Sequence, residues 1–341
     1  MGRLTTGRSW PGHEAARPQV RKRGERSVLS RELVFASLLT ASLAGTVRPA
    51  SAADISVTGG TYVVNSAGDL GGNNVIVDNS ANLSAILQVN NAATLSNGIT
   101  LSNGGALDNS GTIGRGGPGV TGDIGNVINR TGGSITSTGD NGVYFFLGGA
   151  ITNNAGAAIS GTTGVYSDWP SSRTATVTNS GTITGTTGNG IDLENGGTIV
   201  NQAGGRISGV SFGALLWGGS VLNTGSGSII SASQAGSAGV SLQDSGMVTN
   251  TNRAQIAGYD GVQIWNVGSL INSGGASITG NGGNGVWSSG GPGTVLNTGT
   301  GSTISAGGVC ISIAGARLRT KTARGSPAPA TRRSICPTAA P

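Results

Sequence analysis

From Leu107 onward, short apolar runs alternate with Gly- and Asn-rich turns in a recurring order. One unit reads apolar residue, spacer, Asn, a Gly-containing turn, Ile, a second Gly-rich turn, then a third apolar strand. The Asn anchors are Asn109, Asn129, Asn153, Asn179, Asn201, Asn223, Asn250, Asn272 and Asn297, spaced 20 to 27 residues apart. Each is followed by an isoleucine: Ile113, Ile135, Ile159, Ile183, Ile207, Ile229, Ile256, Ile278 and Ile304. A third apolar anchor follows at Val143, Val165, Ile191, Leu215, Val240, Val262, Val286 and Val309. Three short strands in so few residues make one coil of a right-handed parallel β-helix, each strand pairing with its counterpart one coil away. Roughly nine or more coils at about 4.8 Å each predict an all-β solenoid about 43 Å long, with disordered N- and C-terminal ends. Leucine-rich repeats would need a Leu ladder and a helix, and propeller blades a longer period; neither fits.

Asparagine at a fixed place in every coil predicts a ladder, each amide bonding the Asn of the next coil. A bend that tolerates the left-handed region is the expected setting for it, with independent turn residues as the alternative. Glycines are expected to supply the positive φ angles of three corners per coil. Residues 53–106 repeat less cleanly, through Val63-Val64, Val75-Ile76-Val77, Ile86-Leu87 and Leu95, and are read as capping coils before the regular repeats of 107–315.

Composition sharpens this picture. Glycine supplies 64 of 341 residues while aromatics make up 4 % and charges 10 %, which rules out a conventional core of bulky side chains. The formal charge of +6 belongs to the ends. Residues 1–52 carry nine Arg/Lys against three Glu, and 316–341 carry six Arg/Lys and no acid, whereas the repeat region has five Arg against ten Asp and Glu194. A basic surface for nucleic acid is therefore absent where a folded surface would present it. At the N-terminus a basic stretch, Arg21 to Arg26, precedes the apolar run Leu33 to Ala44 and the small residues Ala50-Ser51-Ala52. That order predicts an extended export signal over 1–52, cleaved after Ala52, because the apolar run is about half the roughly 20 residues a membrane span needs. The basic 316–341 segment is expected to be disordered, either a genuine tail or a frameshifted reading of a longer gene. Cys310 and Cys336 lie on opposite sides of that boundary without metal-ligand spacing and receive no role.

Three stretches carry a family resemblance: Val177-Thr178-Asn179-Ser180-Gly181-Thr182-Ile183-Thr184-Gly185, Leu107-Asp108-Asn109-Ser110-Gly111-Thr112-Ile113 and Val221-Leu222-Asn223-Thr224-Gly225. Over Ala53 to Gly315 the chain resembles the β-helical passenger domains of autotransporters. The resemblance implies export, passage through an outer-membrane translocator barrel and display outside the cell. Nothing after Gly315 has the alternating ten-residue strands of such a barrel, so the expectation is a truncated form, surface-displayed or held in the periplasm.

Catalytic constellations are sparse. The only histidine, His13, lies in the segment expected to be removed with the export signal, which excludes Ser-His-Asp, Cys-His and histidine metal chemistry from the mature chain. No cofactor and no metal site is expected. Ten of the eleven aromatics between Ala53 and Gly315 fall in or beside the third strand. Period-two alternation from its anchors sends Tyr144, Phe146, Tyr166, Asp168, Asp192, Glu194, Gln243, Gln263, Trp265 and Trp287 outward. Rings among acids and amides suit sugar, through stacking and hydroxyl hydrogen bonds, or a protein partner. The resulting expectation is a non-enzymatic adhesin or stalk binding a host or neighbouring-cell glycan or protein through this face. The alternative is a β-helical polysaccharide lyase or hydrolase using Asp168 and Glu194, with Arg173 or Arg206 as the base.

Overall fold

The computed structural model describes residues 54–66, 74–169, 173–289 and 293–313, together with the backbone of the strand Arg317–Lys321. Residues 1–52, read above as an export signal, and residues 322–341 lie outside the described residues, as does Cys336. The described chain is a parallel β-solenoid with three strands per coil and no helix.

Three sheets run its length. The third-strand sheet has twelve strands, from Ile55–Val57 to Ile311–Ile313. The Asn sheet also has twelve, from Thr61–Val64 to Arg317–Lys321, and the Ile sheet ten, from Thr94–Leu95 to Thr303–Ala306. Twelve rungs at about 4.8 Å give a stack about 53 Å long. Residues 53–106 contribute strands in register with the repeats, Ile86 pairing with Ala106 and Val75 with Ile99. At the other end, Arg317–Lys321 pairs with Thr294–Thr298, so the ladder continues past the compositional break at Gly315 into the segment expected to be disordered.

Inside, each sheet presents a column of β-branched or leucine side chains, all essentially solvent-free. The Asn sheet contributes Leu107, Val127, Ile151, Val177, Ile199, Val221, Val248, Leu270 and Val295. Three expected anchors are corrected. In the third-strand sheet Ala214, not Leu215, continues the column from Ile191, and Ile311, not Val309, continues it from Val286. In the Ile sheet Ile230, not Ile229, follows Ile207. At the first site, Gly213 sets the register: a Cβ there would lie 2.5 Å from the Gly239 carbonyl and 2.8 Å from Ile230 Cγ2, so the chain must pass close and the next residue turns inward.

That glycine belongs to a column the repeat pattern left unread. Gly119, Gly142, Gly164, Gly190, Gly213, Gly239, Gly261 and Gly285 each stand immediately before the inward anchor of the third strand, and a Cβ on any of them would come within 3 Å of an isoleucine Cγ2 of the following coil. None has a positive φ. The expectation that corner glycines serve the left-handed region is wrong for these eight; they supply space, letting the corner lie against the isoleucine column.

The interior is matched in volume as well as polarity. Phe145, fully buried, sits between Gly122 and Ser167 in its own column, and a Cβ on Gly149 would lie 2.8 Å from its ring. One large side chain thus fills what four small residues, Gly122, Gly125, Gly149 and Ser167, leave open.

The nine anchor asparagines form a continuous ladder. Each Nδ2 donates to the Oδ1 of the Asn one coil on at 2.8–2.9 Å, from Asn109 to Asn297. The same Nδ2 atoms reach carbonyls at the start of the Ile strand, Asn179 bonding Gly181 and Arg206. These amides close the corner between two sheets and give its carbonyls a second donor beside their backbone one, as Gly181 accepts from both Asn179 and the Arg206 amide. The expected left-handed setting is corrected: no ladder Asn has a positive φ, because each is the last or next-to-last residue of an extended strand with its side chain inward. Val89 precedes Asn109 in register and Thr320 follows Asn297, which bounds the ladder.

Candidate functional site

The outward positions of the third-strand sheet form two neighbouring columns. Register places Tyr144, Tyr166, Asp192, Leu215, Ser241, Gln263 and Trp287 on successive coils. Two residues further along each strand, backbone amides of Phe146, Asp168, Glu194, Trp217, Gln243, Trp265 and Ser289 each donate to the preceding coil. The two columns make a strip about 29 Å long at about 4.8 Å per rung.

At one end of the strip the rings cluster. Tyr144 lies 4.4 Å from Phe146 and 5.2 Å from Tyr166, ring centre to ring centre. The Tyr144 hydroxyl donates to Asp168 Oδ2 at 2.8 Å, and the Tyr166 hydroxyl, 3.4 Å from Asp168 Oδ1, shares its one proton between that oxygen and Glu194. Asp168 and Glu194 therefore come together around one tyrosine hydroxyl. Burial, then the Asp168 bond, pushes Tyr144 up to about 12; burial, then the charges of Glu194 and Asp168, raises Tyr166. Both phenols stay protonated donors at any physiological pH.

Beneath them Asp192 is only 8 % exposed. Asn189 donates to its Oδ2 at 2.7 Å, while Oδ1 has no hydrogen-bond partner. Burial, reinforced by Glu194 and opposed by the Asn189 bond, pushes its carboxyl up to about 7. Since the unfolded value is near 3.8, folding takes up a proton at pH between the two. Stability is at its fullest below about pH 4 and declines as pH rises through about 7. Asp192→Asn is expected to raise stability by roughly 2–4 kcal/mol at pH 8 and by little at pH 4. Melting curves of both proteins at the two pH values test this, and an equal gain at both would show that charge burial is not the cause.

At the other end Trp265 and Trp287 meet edge to face with centroids 4.6 Å apart. Trp265 is 47 % exposed, and Trp217, one coil beyond Glu194 in the same column, is also open to solvent. Gln263 lies between the two ends but is 7 % exposed, its Nε2 donating to Asp260 Oδ2 at 2.7 Å. The expected uninterrupted display is thus corrected at two positions: Asp192 and Gln263 lie in the outward register of the sheet yet are buried. Tyr144, Tyr166, Asp168, Glu194 and Trp287 are half-buried and Phe146 exposed.

Of the basic residues considered for lyase chemistry, Arg206 is in the Ile sheet, paired in register with Thr182 and Ile229, away from the acids. Arg173 is in the turn beside Asn195, whose amide bonds its carbonyl at 2.7 Å. Trp217, Asn189, Asp260 and Asn284 were not picked out from the sequence. Trp217 could have been, by its offset of three from Ala214, had the correct anchor been chosen. Among the described residues no three His, Cys, Asp or Glu side chains converge to hold a metal ion. Searches of protein-family models, curated proteins and solved structures find nothing that matches this chain.

Proposed function

We propose that this protein is an exported β-helical rod, an adhesin or structural stalk acting at the cell surface or outside the cell, and that its third-strand face binds glycan. The observation that carries this reading is the strip itself: exposed or half-exposed rings at both ends, with carboxylates and amides between them, along one side of a rigid scaffold. Sugars are recognised by that combination, apolar ring faces stacking on aromatics and hydroxyls bonding to acids. A rigid sheet keeps the cost of ordering the site low.

Export is supported by the basic, apolar and small-residue order of the N-terminus. It is supported as well by Cys310, which is disulfide-bonded. Such bonds persist in oxidising compartments. The resemblance to autotransporter passengers supplies the route, with an outer-membrane translocator barrel as the partner in secretion. A non-enzymatic role fits the tyrosine hydrogen bonds that occupy Asp168 and Glu194 and the placement of Arg206 on another sheet.

Glycan-array binding of the purified chain tests the reading. Trp265→Ala with Trp287→Ala is expected to lower binding at least about tenfold, since each ring contributes roughly 0.5–1.5 kcal/mol beyond its area. The melting temperature should stay within a few degrees of the parent. Binding unchanged by the double substitution removes the face from consideration.

A further inference from the structure

Two exposed tryptophans of the strip stand in one column. The amide of Trp217 donates to the Leu193 carbonyl, that of Gln243 to Leu216 and that of Trp265 to Leu242, so the three occupy successive coils at one offset. Trp217 and Trp265 are therefore two rungs apart, about 9.6 Å. Glu194, Gln243 and Ser289 hold the rungs before, between and after them. Polar and aromatic side chains thus alternate over five successive coils. Trp265 is braced edge to face by Trp287 of the neighbouring column. Phe146, three coils before Trp217, falls outside the alternation.

A ligand that meets both rings must present the same face at that interval. In an extended β-1,4-linked pyranose chain each ring is turned over relative to the last, so every second ring offers one apolar face to the same side. Two ring lengths of such a chain come close to two rungs. Chains linked β-1,3 or α-1,4 coil and lose the interval. Same-face side chains of an extended peptide recur at about 6.6 Å and fall out of step. A polyproline helix repeats at about 9.3 Å and meets the interval, but it has no N–H to offer the carboxylate of Asp244 or the amide oxygen of Gln243 beside the rings. Sugar hydroxyls donate as well as accept. Charge decides among sugars: residues 53–315 carry five Arg against ten Asp and Glu194, which disfavours an anionic polysaccharide. We propose that the glycan taken by this face is a neutral, extended β-1,4-linked polysaccharide, with alternate rings stacked on Trp217 and Trp265 and the ring between them over Gln243. This rests on the glycan reading above and names its ligand class.

The test is calorimetric titration of the full chain with neutral glucose hexamers linked β-1,4, β-1,3 or α-1,4, a β-1,4 disaccharide and a proline nonamer. The β-1,4 hexamer should bind about tenfold tighter than the disaccharide, which reaches one ring, and than either other hexamer. In Trp217→Ala that advantage should vanish. Gln243→Trp added to Trp265→Ala keeps two rings in the column but sets them one rung apart, and should not recover the parent affinity. Hexamers bound alike whatever their linkage overturn the β-1,4 assignment and leave glycan binding intact, as does parent-like binding at the one-rung spacing. Binding to none of the sugars overturns both. A proline nonamer bound as tightly as the β-1,4 hexamer overturns sugar as the ligand class. The comparison among probes uses the unaltered chain, so it stands even if a variant folds poorly.

Discussion

Asn179→Ala is expected to destabilise the coils around it by about 2–5 kcal/mol, the cost of leaving one buried acceptor without its donor and of losing the other bonds of the amide. Asn201 Oδ1 loses its donor, Asn153 Nδ2 loses one acceptor and keeps the Ala157 and Thr182 carbonyls, and the Gly181 carbonyl keeps only the Arg206 amide. The asparagine side chains lie where water does not reach, so water does not replace the lost ladder bonds. Asn297→Ala should cost distinctly less, because that residue has one Asn neighbour in the ladder and is 9 % exposed. In a stack where each coil touches only its neighbours, a single global unfolding energy is ill-defined. Hydrogen exchange of backbone amides near residue 179 is therefore the measurement. If protection there drops no more than at 297, the amides are independent turn groups and the ladder contributes nothing as a unit.

Phe145→Ala is expected to cost about 3–5 kcal/mol, the usual range for removing a buried phenylalanine. The loss should fall at the upper end because the neighbours cannot close in. Gly122, Gly125, Gly149 and Ser167 have no atoms to extend into the gap, and the backbone around them is fixed by ladder bonds above and below. Phe145→Leu, which keeps most of the volume, should cost about half as much or less. Thermal denaturation with hydrogen exchange on the strand Val143–Phe145 separates the two. Equal effects from both substitutions would mean the site relaxes and the volume matching is incidental.

Most of the architecture was legible because one interval recurs. The Asn and Ile anchors at 20 to 27 residues gave the coil, and their inward register follows from strand alternation. The readings went astray where two apolar residues stood side by side. At Ala214-Leu215 and Ile229-Ile230 the bulkier or earlier residue was chosen, but the neighbouring coil decides which one turns in. The decisive sign at the first was Gly213, a residue whose importance is the absence of a side chain and which no hydropathy pattern records. Period two also placed Asp192 and Gln263 on the correct face without saying how deep they lie. Depth depends on the residues of adjacent coils: Tyr166 and Leu215 flank Asp192, while Ser241 and Trp287 flank Gln263. The tyrosine bonds to Asp168 and Glu194 were out of reach for the same reason, since they cross coils more than twenty residues apart in sequence.

The glycine column and its isoleucines fix how wide this molecule can be and leave its length open. A bulkier side chain at any corner would have to push against the coil above, and that coil against the next, so a thicker cross-section is reachable only by changing every storey at once. Adding or removing one complete turn disturbs two junctions and nothing else. Reach is thus the dimension such a chain can vary cheaply: the strip could be carried nearer to or farther from either end of the stack by whole turns without altering a single contact within it.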